Sequence, residues 1–145
     1  MKVNPYLNFD GNAEEAFNFY KSVFGGEFTA LQRFKDVPEG QPMPESESEL
    51  IMHISLPIDK DTVLMASDIS KSMGMQFNPG NNVYISLHPD SMDEAERLYE
   101  ELSKDGKVEM KFQKMFWGAY FSSFTDKFGV QWMVNFEDTA EQKKA

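Results

Sequence analysis

Apolar residues dominate residues 3–9 (VNPYLNF), which read as a β-strand ending at Asp10-Gly11. The pattern then changes. Ala13, Ala16, Phe17, Tyr20, Val23 and Phe24 fall on one face of a 3.6-residue repeat, so a helix follows. Asn12 with Glu15 three residues on makes a capping-box pattern for its start, and Gly25-Gly26 stops it. Strands are predicted over residues 28–34, 50–56 and 62–67, with a turn at 57–61. Between the first two of these lies a polar, proline-bearing stretch, 35–49, long enough for a mobile loop. In LIMHISL, strict alternation puts Leu50, Met52, Ile54 and Leu56 on the helix side and Ile51, His53 and Ser55 on the opposite side. Residues 70–81, with Gly, Pro, Asn and Met, read as a linker.

The pattern then starts again. Asn82-Val83-Tyr84-Ile85-Ser86-Leu87 matches Asn4-Pro5-Tyr6-Leu7-Asn8-Phe9 in alternation and partly in identity. Ser91 and Glu94 repeat the capping box, and Met92, Ala95, Leu98, Tyr99 and Leu102 repeat the apolar stripe. Gly106 answers Gly26, and Asp126-Lys127 before Gln131-Trp132-Met133 echoes Asp59-Lys60 before Val63-Leu64-Met65. The expectation is one α+β domain of two pseudo-symmetric βαβββ modules: module one at about 1–69, a linker at about 70–81, module two at about 82–137 and a polar tail at 138–145. Two copies are too few for a solenoid, so paired modules are the reading. One striped helix covers only one side of its sheet. The Phe, Met and Val side chains on the other side need burial or a ligand, and two curved sheets with helices outside predict a trough where binding occurs.

Composition narrows the function classes. The chain has 145 residues, too few for an enzyme with a separate cofactor domain. No apolar run approaches the ~20 residues of a membrane span, and the N-terminus leads straight into the first strand, so a cytoplasmic location is expected. With 24 acidic and 14 basic residues the net charge is −10, which argues against nucleic acid and anionic lipid as partners. Zero Cys removes disulfides, thiolate nucleophiles and thiolate metal sites.

The duplicated order resembles the vicinal oxygen chelate fold shared by glyoxalase I, bleomycin-resistance proteins and extradiol dioxygenases. More closely, Pro5-Tyr6-Leu7-Asn8-Phe9, Ala13-Glu14-Glu15-Ala16, Phe19-Tyr20, Phe24-Gly25-Gly26, Met65-Ala66-Ser67-Asp68 and the run from Asp126-Lys127-Phe128-Gly129 to Asn135 resemble the PhnB-like branch, which carries a demethylubiquinone methyltransferase label. The label finds no strand followed by a glycine-rich loop and an acidic ribose-binding residue here. Metal-dependent members of the superfamily take ligands from the first and last strands of each module. The resemblance places Pro5, Met65, Val83 (or Tyr84) and Met133 at those positions. Thioethers are soft donors and Pro and Val are not donors, so no metal site and no cofactor are expected.

Candidate chemistry follows from the same alternation. His53 on the trough side is either a general base or ligand anchor, or an imidazole satisfied by a neighbouring strand or water. The repeat pairs it with Tyr120, and Ser55 with Ser122. His88, just before Pro89-Asp90, reads as a surface or capping residue. Gln131 and Asn135 flank Met133 at period two and either orient a polar ligand or are satisfied by each other or by backbone. Asp68 has the opposite parity to Met65 and either caps a turn or acts as a base. Six aromatics in residues 112–124, Trp117 among them, form either a stacking wall for a flat apolar ligand or core plus a subunit interface.

The expected function is binding of a small apolar or aromatic molecule by a homodimer without metal, through His53, Met65, Trp117, Tyr120, Gln131, Met133 and Asn135. The alternatives are a lyase, isomerase or dioxygenase-like enzyme of the superfamily, with His53 or Asp68 as the catalytic group, and a dimeric structural protein with a filled cavity.

Overall fold

A computed structural model describes residues 1–37 and 43–138. Part of the expected 35–49 loop and nearly all of the expected polar tail lie outside those residues. The chain divides into two compact units, Met1–Asn78 and Pro79–Ala145. Each holds one helix and an open four-stranded sheet, so the fold is α+β with two βαβββ modules.

In the first unit, β1 (Tyr6–Phe9), α1 (Ala13–Phe24), β2 (Ala30–Arg33), β3 (Ile51–Pro57) and β4 (Val63–Asp68) form a sheet of order β1-β4-β3-β2. The first strand runs parallel to the last, and the other pairs are antiparallel. Helix α1 packs on β3 and β4 and buries Ala13, Ala16, Phe17, Tyr20 and Val23, five of the six positions of the predicted stripe. Leu64, Ala66 and Asp68 alternate with half-buried Val63, Met65 and Ser67, so β4 presents its first set to the helix and its second to the helix-free face. Arg33, at the end of edge strand β2, reaches α1 through two hydrogen bonds to the Glu14 carboxylate, at 3.1 and 2.7 Å.

Two local expectations fail for physical reasons. Ile51 is buried with Ile54 and Leu56 rather than facing away from the helix. Gln32 pairs with His53 and Arg33 with Ile51, so Met52 is an extra residue, and such a bulge reverses the alternation beyond it. Asn12 makes no side-chain cap on α1. The carboxylate of Asp68, 2% exposed, accepts the Gly11 and Ala13 N–H groups at 3.0 Å and the Ile51 N–H at 2.9 Å. A carboxyl group from a distant strand, accepting three N–H groups, thus closes the helix start in place of the adjacent amide. Gly25 does stop α1: at φ 78° its N–H caps the Lys21 carbonyl.

In the second unit, β5 (Ile85–Leu87), α2 (Met92–Ser103), β6 (Lys107–Lys114), β7 (Tyr120–Thr125) and β8 (Gln131–Phe136) form a sheet of order β5-β8-β7-β6, with β5 and β8 parallel. Ser91 caps α2 as predicted, its hydroxyl accepting the Glu94 N–H at 3.1 Å. Buried Asp126 accepts the Phe128 and Val130 N–H groups and the Trp132 indole N–H at 2.8 Å, which ties the β7–β8 turn to the core. Among the described residues no helix is long and apolar enough to cross a membrane.

Candidate functional site

The register places the candidates. In the first module Tyr6 faces Met65, Met65 faces Ser55 and Ser55 faces Ala30, so these four form a row across the helix-free face. The next row along the sheet holds Asn8 opposite Ser67, and His53 opposite Gln32. His53 Nδ1 lies 3.1 Å from the Tyr6 hydroxyl, and the two rings stack with centroids 5.7 Å apart at 23°. The Ser67 hydroxyl donates to Asn8 Oδ1 at 3.3 Å, and the hydroxyls of Ser55 and Thr29 are 2.7 Å apart. Methionine thus sits at the centre of a face edged by an imidazole, a phenol and small polar groups.

In the second module the corresponding row is Ser86, Met133 and Ser123. Phe121 lies opposite Asn135, and Thr125 opposite Gln131. His88 Nε2 is 3.0 Å from the Ser86 hydroxyl, and its Nδ1 is 3.5 Å from Asn135 Nδ2, while Asn135 Oδ1 is buried without a partner among the described residues. Gln131 donates to the Val83 carbonyl at 2.7 Å, so its amide is satisfied by backbone. Glu109 accepts from the Thr125 hydroxyl at 3.1 Å and from the Tyr84 hydroxyl, a short contact that raises the Tyr84 pKa above the ordinary tyrosine range.

The predicted residues belong to both units. His53 and Met65 share one helix-free face, and Gln131, Met133 and Asn135 share the other. Trp117 lies in the β6–β7 turn, 52% exposed, with its ring edge-on to Phe121 at 6.2 Å. Tyr120 belongs to the helix side: Phe112 touches both its ring and that of Tyr99 on α2. The true partner of Ser55 in the repeat is Ser123, since both face the module's methionine, and the partner of His53 is Phe121. The expected pairing of His53 with Tyr120 was one residue out of register, which turns a side chain to the other face. Asp68 is buried on the helix side with three backbone donors, which makes it a structural anchor. Tyr6, Asn8 and Ser86 were missed, and His88, read as a surface or capping residue, lies beside Ser86 and Asn135; the signal was parallel pairing of first and last strands, which brings residues beside Met65 and Met133 that sequence distance conceals.

The same register tests the metal site of this fold. Tyr6 and Ser86, not Pro5 and Val83 (or Tyr84), stand beside Met65 and Met133. In neither module does the pair, a phenol beside a thioether in the first and a hydroxyl beside a thioether in the second, suit a hard or borderline divalent ion. Among the described residues no group of three His, Asp or Glu side chains is placed to hold one.

Two open mixed sheets, each backed by one helix and built from a repeated βαβββ order, match a glyoxalase/bleomycin-resistance-like fold. A solved glyoxalase/bleomycin resistance protein from Albidiferax ferrireducens T118 matches at TM-score 0.62 over 93% of this chain and 97% of its own, at 11% identity, a likeness of fold alone. Within that class the chain belongs to the family described as 3-demethylubiquinone-9 3-methyltransferase, whose model matches residues 1–135. It is 30% identical to Protein YjdN of Escherichia coli (strain K12) over 93% of this chain and 95% of that protein. Protein PA1353 from Pseudomonas aeruginosa is 41% identical over 94% and 98% of the two chains, with TM-score 0.83. A Bacillus cereus PhnB protein, titled a putative 3-demethylubiquinone-9 3-methyltransferase, shares the fold at TM-score 0.73 and 24% identity, over 94% of this chain and 99% of its own. Among the described residues the methyl donor implied by the family description finds no glycine-rich cradle at a helix start. At the start of α1 Asp68 holds the Gly11 and Ala13 N–H groups, and the first-turn Glu94 N–H of α2 is held by Ser91.

Proposed function

We propose that this protein binds a small apolar or aromatic molecule against its helix-free sheet faces, acts without the metal customary for its fold, and works in the cytoplasm as a homodimer. The observation that carries the reading is the row Tyr6-Met65-Ser55 and its counterpart Ser86-Met133-Ser123. Polarizable thioethers occupy the positions beside the first strands, where metal-dependent members of the fold carry ligands, and hydroxyls and imidazoles surround them. Such a surface suits a ligand with an apolar body and a few hydrogen-bonding groups. The homodimer would shield apolar groups such as Phe116, 96% exposed, and Trp117.

Native mass spectrometry of the protein purified from its own host tests this at once. The expected result is two chains with a retained organic mass and no ion. Stoichiometric, tight uptake of zinc, nickel or manganese on titration would overturn it. A second reading, a metal-free proton-transfer enzyme, is favoured by one observation, the contact of His53 with the Tyr6 hydroxyl.

A further inference from the structure

We infer that Tyr6 and His53 form a hydrogen-bond donor of fixed tautomer that reads a neutral carbonyl oxygen on a flat aromatic ligand. The inference rests on the binding reading above and names its ligand's chemistry. A phenol O–H is a better donor than an imidazole N–H, and an imidazole nitrogen is a far better acceptor than a phenol oxygen. The 3.1 Å contact is therefore Tyr6 O–H donating to His53 Nδ1. That fixes the ring proton on Nε2. His53 Nε2 has no hydrogen-bond partner among the described residues, so its N–H is the donor left over for a ligand.

The surroundings specify the rest of the ligand. The near-parallel rings of Tyr6 and His53 make a flat platform beside the Met65 thioether, which suits a planar aromatic body. Charge selects a neutral acceptor over a carboxylate. The chain carries −10 overall, and Arg33, next along β2 from Gln32, is engaged by the Glu14 carboxylate and the Glu49 carbonyl. Asn8 and Ser67, already hydrogen-bonded to each other, edge the face without adding a cation. Tyr6 is then a positioning residue that acts through His53.

Three probes of one shape separate the outcomes: 2-acetylnaphthalene with a carbonyl, 2-ethylnaphthalene without one, and 2-naphthoate with a charge. The full chain should bind the ketone roughly ten-fold more tightly than the hydrocarbon, the scale of one hydrogen bond. His53→Phe should erase that ratio while keeping hydrocarbon binding. Nitrogen-15 NMR of the side chain should show the proton on His53 Nε2, and Tyr6→Phe should mix the two tautomers and lower the ketone preference. Equal binding of ketone and hydrocarbon overturns this inference and leaves the binding reading standing. Tightest binding of naphthoate, or a proton resident on Nδ1, also overturns it. Failure of all three probes to bind counts against both readings.

Discussion

The two helix-free faces share a centre and differ at the edges. Each has a methionine on the last strand opposite a serine on the strand before it, Met65 with Ser55 and Met133 with Ser123. Around them the chemistry has been exchanged. Tyr6 corresponds to Ser86, Asn8 to His88, His53 to Phe121 and Ser67 to Asn135. One imidazole sits on an inner strand and contacts a phenol; the other follows the short first strand and contacts a serine. Backbone pairing keeps the central positions equivalent, while nothing in the sheet requires the flanking polar groups to stay the same. The two faces are therefore different surfaces on one scaffold.

The anchors have diverged in the same way, and this gives the largest expected effect. Asp68 holds three backbone N–H groups in the first module, but the equivalent last-strand position in the second is Phe136, a core residue. Asp68→Ala strands three buried or half-buried donors and should destabilise the protein by about 3–5 kcal/mol in urea denaturation. Phe136→Leu, which only trims packing, should cost about 1 kcal/mol. Similar losses from both substitutions would mean that the modules are held at equivalent points after all.

The glycines that follow the helices sharpen the contrast. A Cβ on Gly106 would overlap the Thr125 carbonyl and press on the Asp126 backbone, so Gly106→Ala must move the start of β6 and should cost about 2–3 kcal/mol. A Cβ on Gly26 would meet the Pro57 carbonyl oxygen at 3.6 Å, an ordinary contact, but φ is 81°, so Gly26→Ala costs chiefly the left-handed backbone, about 1 kcal/mol, in the same denaturation measurement. A reversed order would show that backbone conformation, not close approach, governs this turn.

Local signals were readable from the sequence and distant ones were not. The α1 and α2 stripes, Ser91 as a cap and Gly25 as a stop each depend on residues within one turn, and the structure matches them. The duplicated βαβββ order was legible because both periods recur. Three things escaped because they depend on a partner strand: the bulge at Met52, the cap supplied by Asp68, and the face of Tyr120. A register error of one residue sufficed to place Tyr120 with His53, and an error at the first strands hid Tyr6 and Ser86 behind Pro5 and Val83. Residue types at the site could be listed from sequence, but their rows could not.

The two helix starts give a smaller test of local against distant capping. Ser91→Ala removes the side-chain acceptor of the Glu94 N–H and should lower stability by about 1 kcal/mol. Asn12→Ala removes no cap hydrogen bond, because Asp68 already serves α1, and should change thermal stability by less than about 0.5 kcal/mol. Equal effects would restore Asn12 to the capping role that the sequence alone assigns it.

The smallest effect concerns a phenol on each face. Tyr6 hydrogen-bonds the His53 imidazole, whereas Tyr84 hydrogen-bonds the Glu109 carboxylate, which holds its pKa above the ordinary tyrosine range. Ionising that phenol would place two negative charges in contact. With the folded-state pKa raised above the unfolded value, the interaction stabilises the fold fully below about pH 10, and its contribution disappears as pH rises through the folded value. Because the pair is exposed, the change in stability is small and is read better by ultraviolet titration than by denaturation. Glu109→Gln removes the charge but keeps an acceptor, so Tyr84 should then ionise at lower pH. Titration at unchanged pH in that variant would show that the carboxylate does not control the phenol, and would remove this difference between the faces.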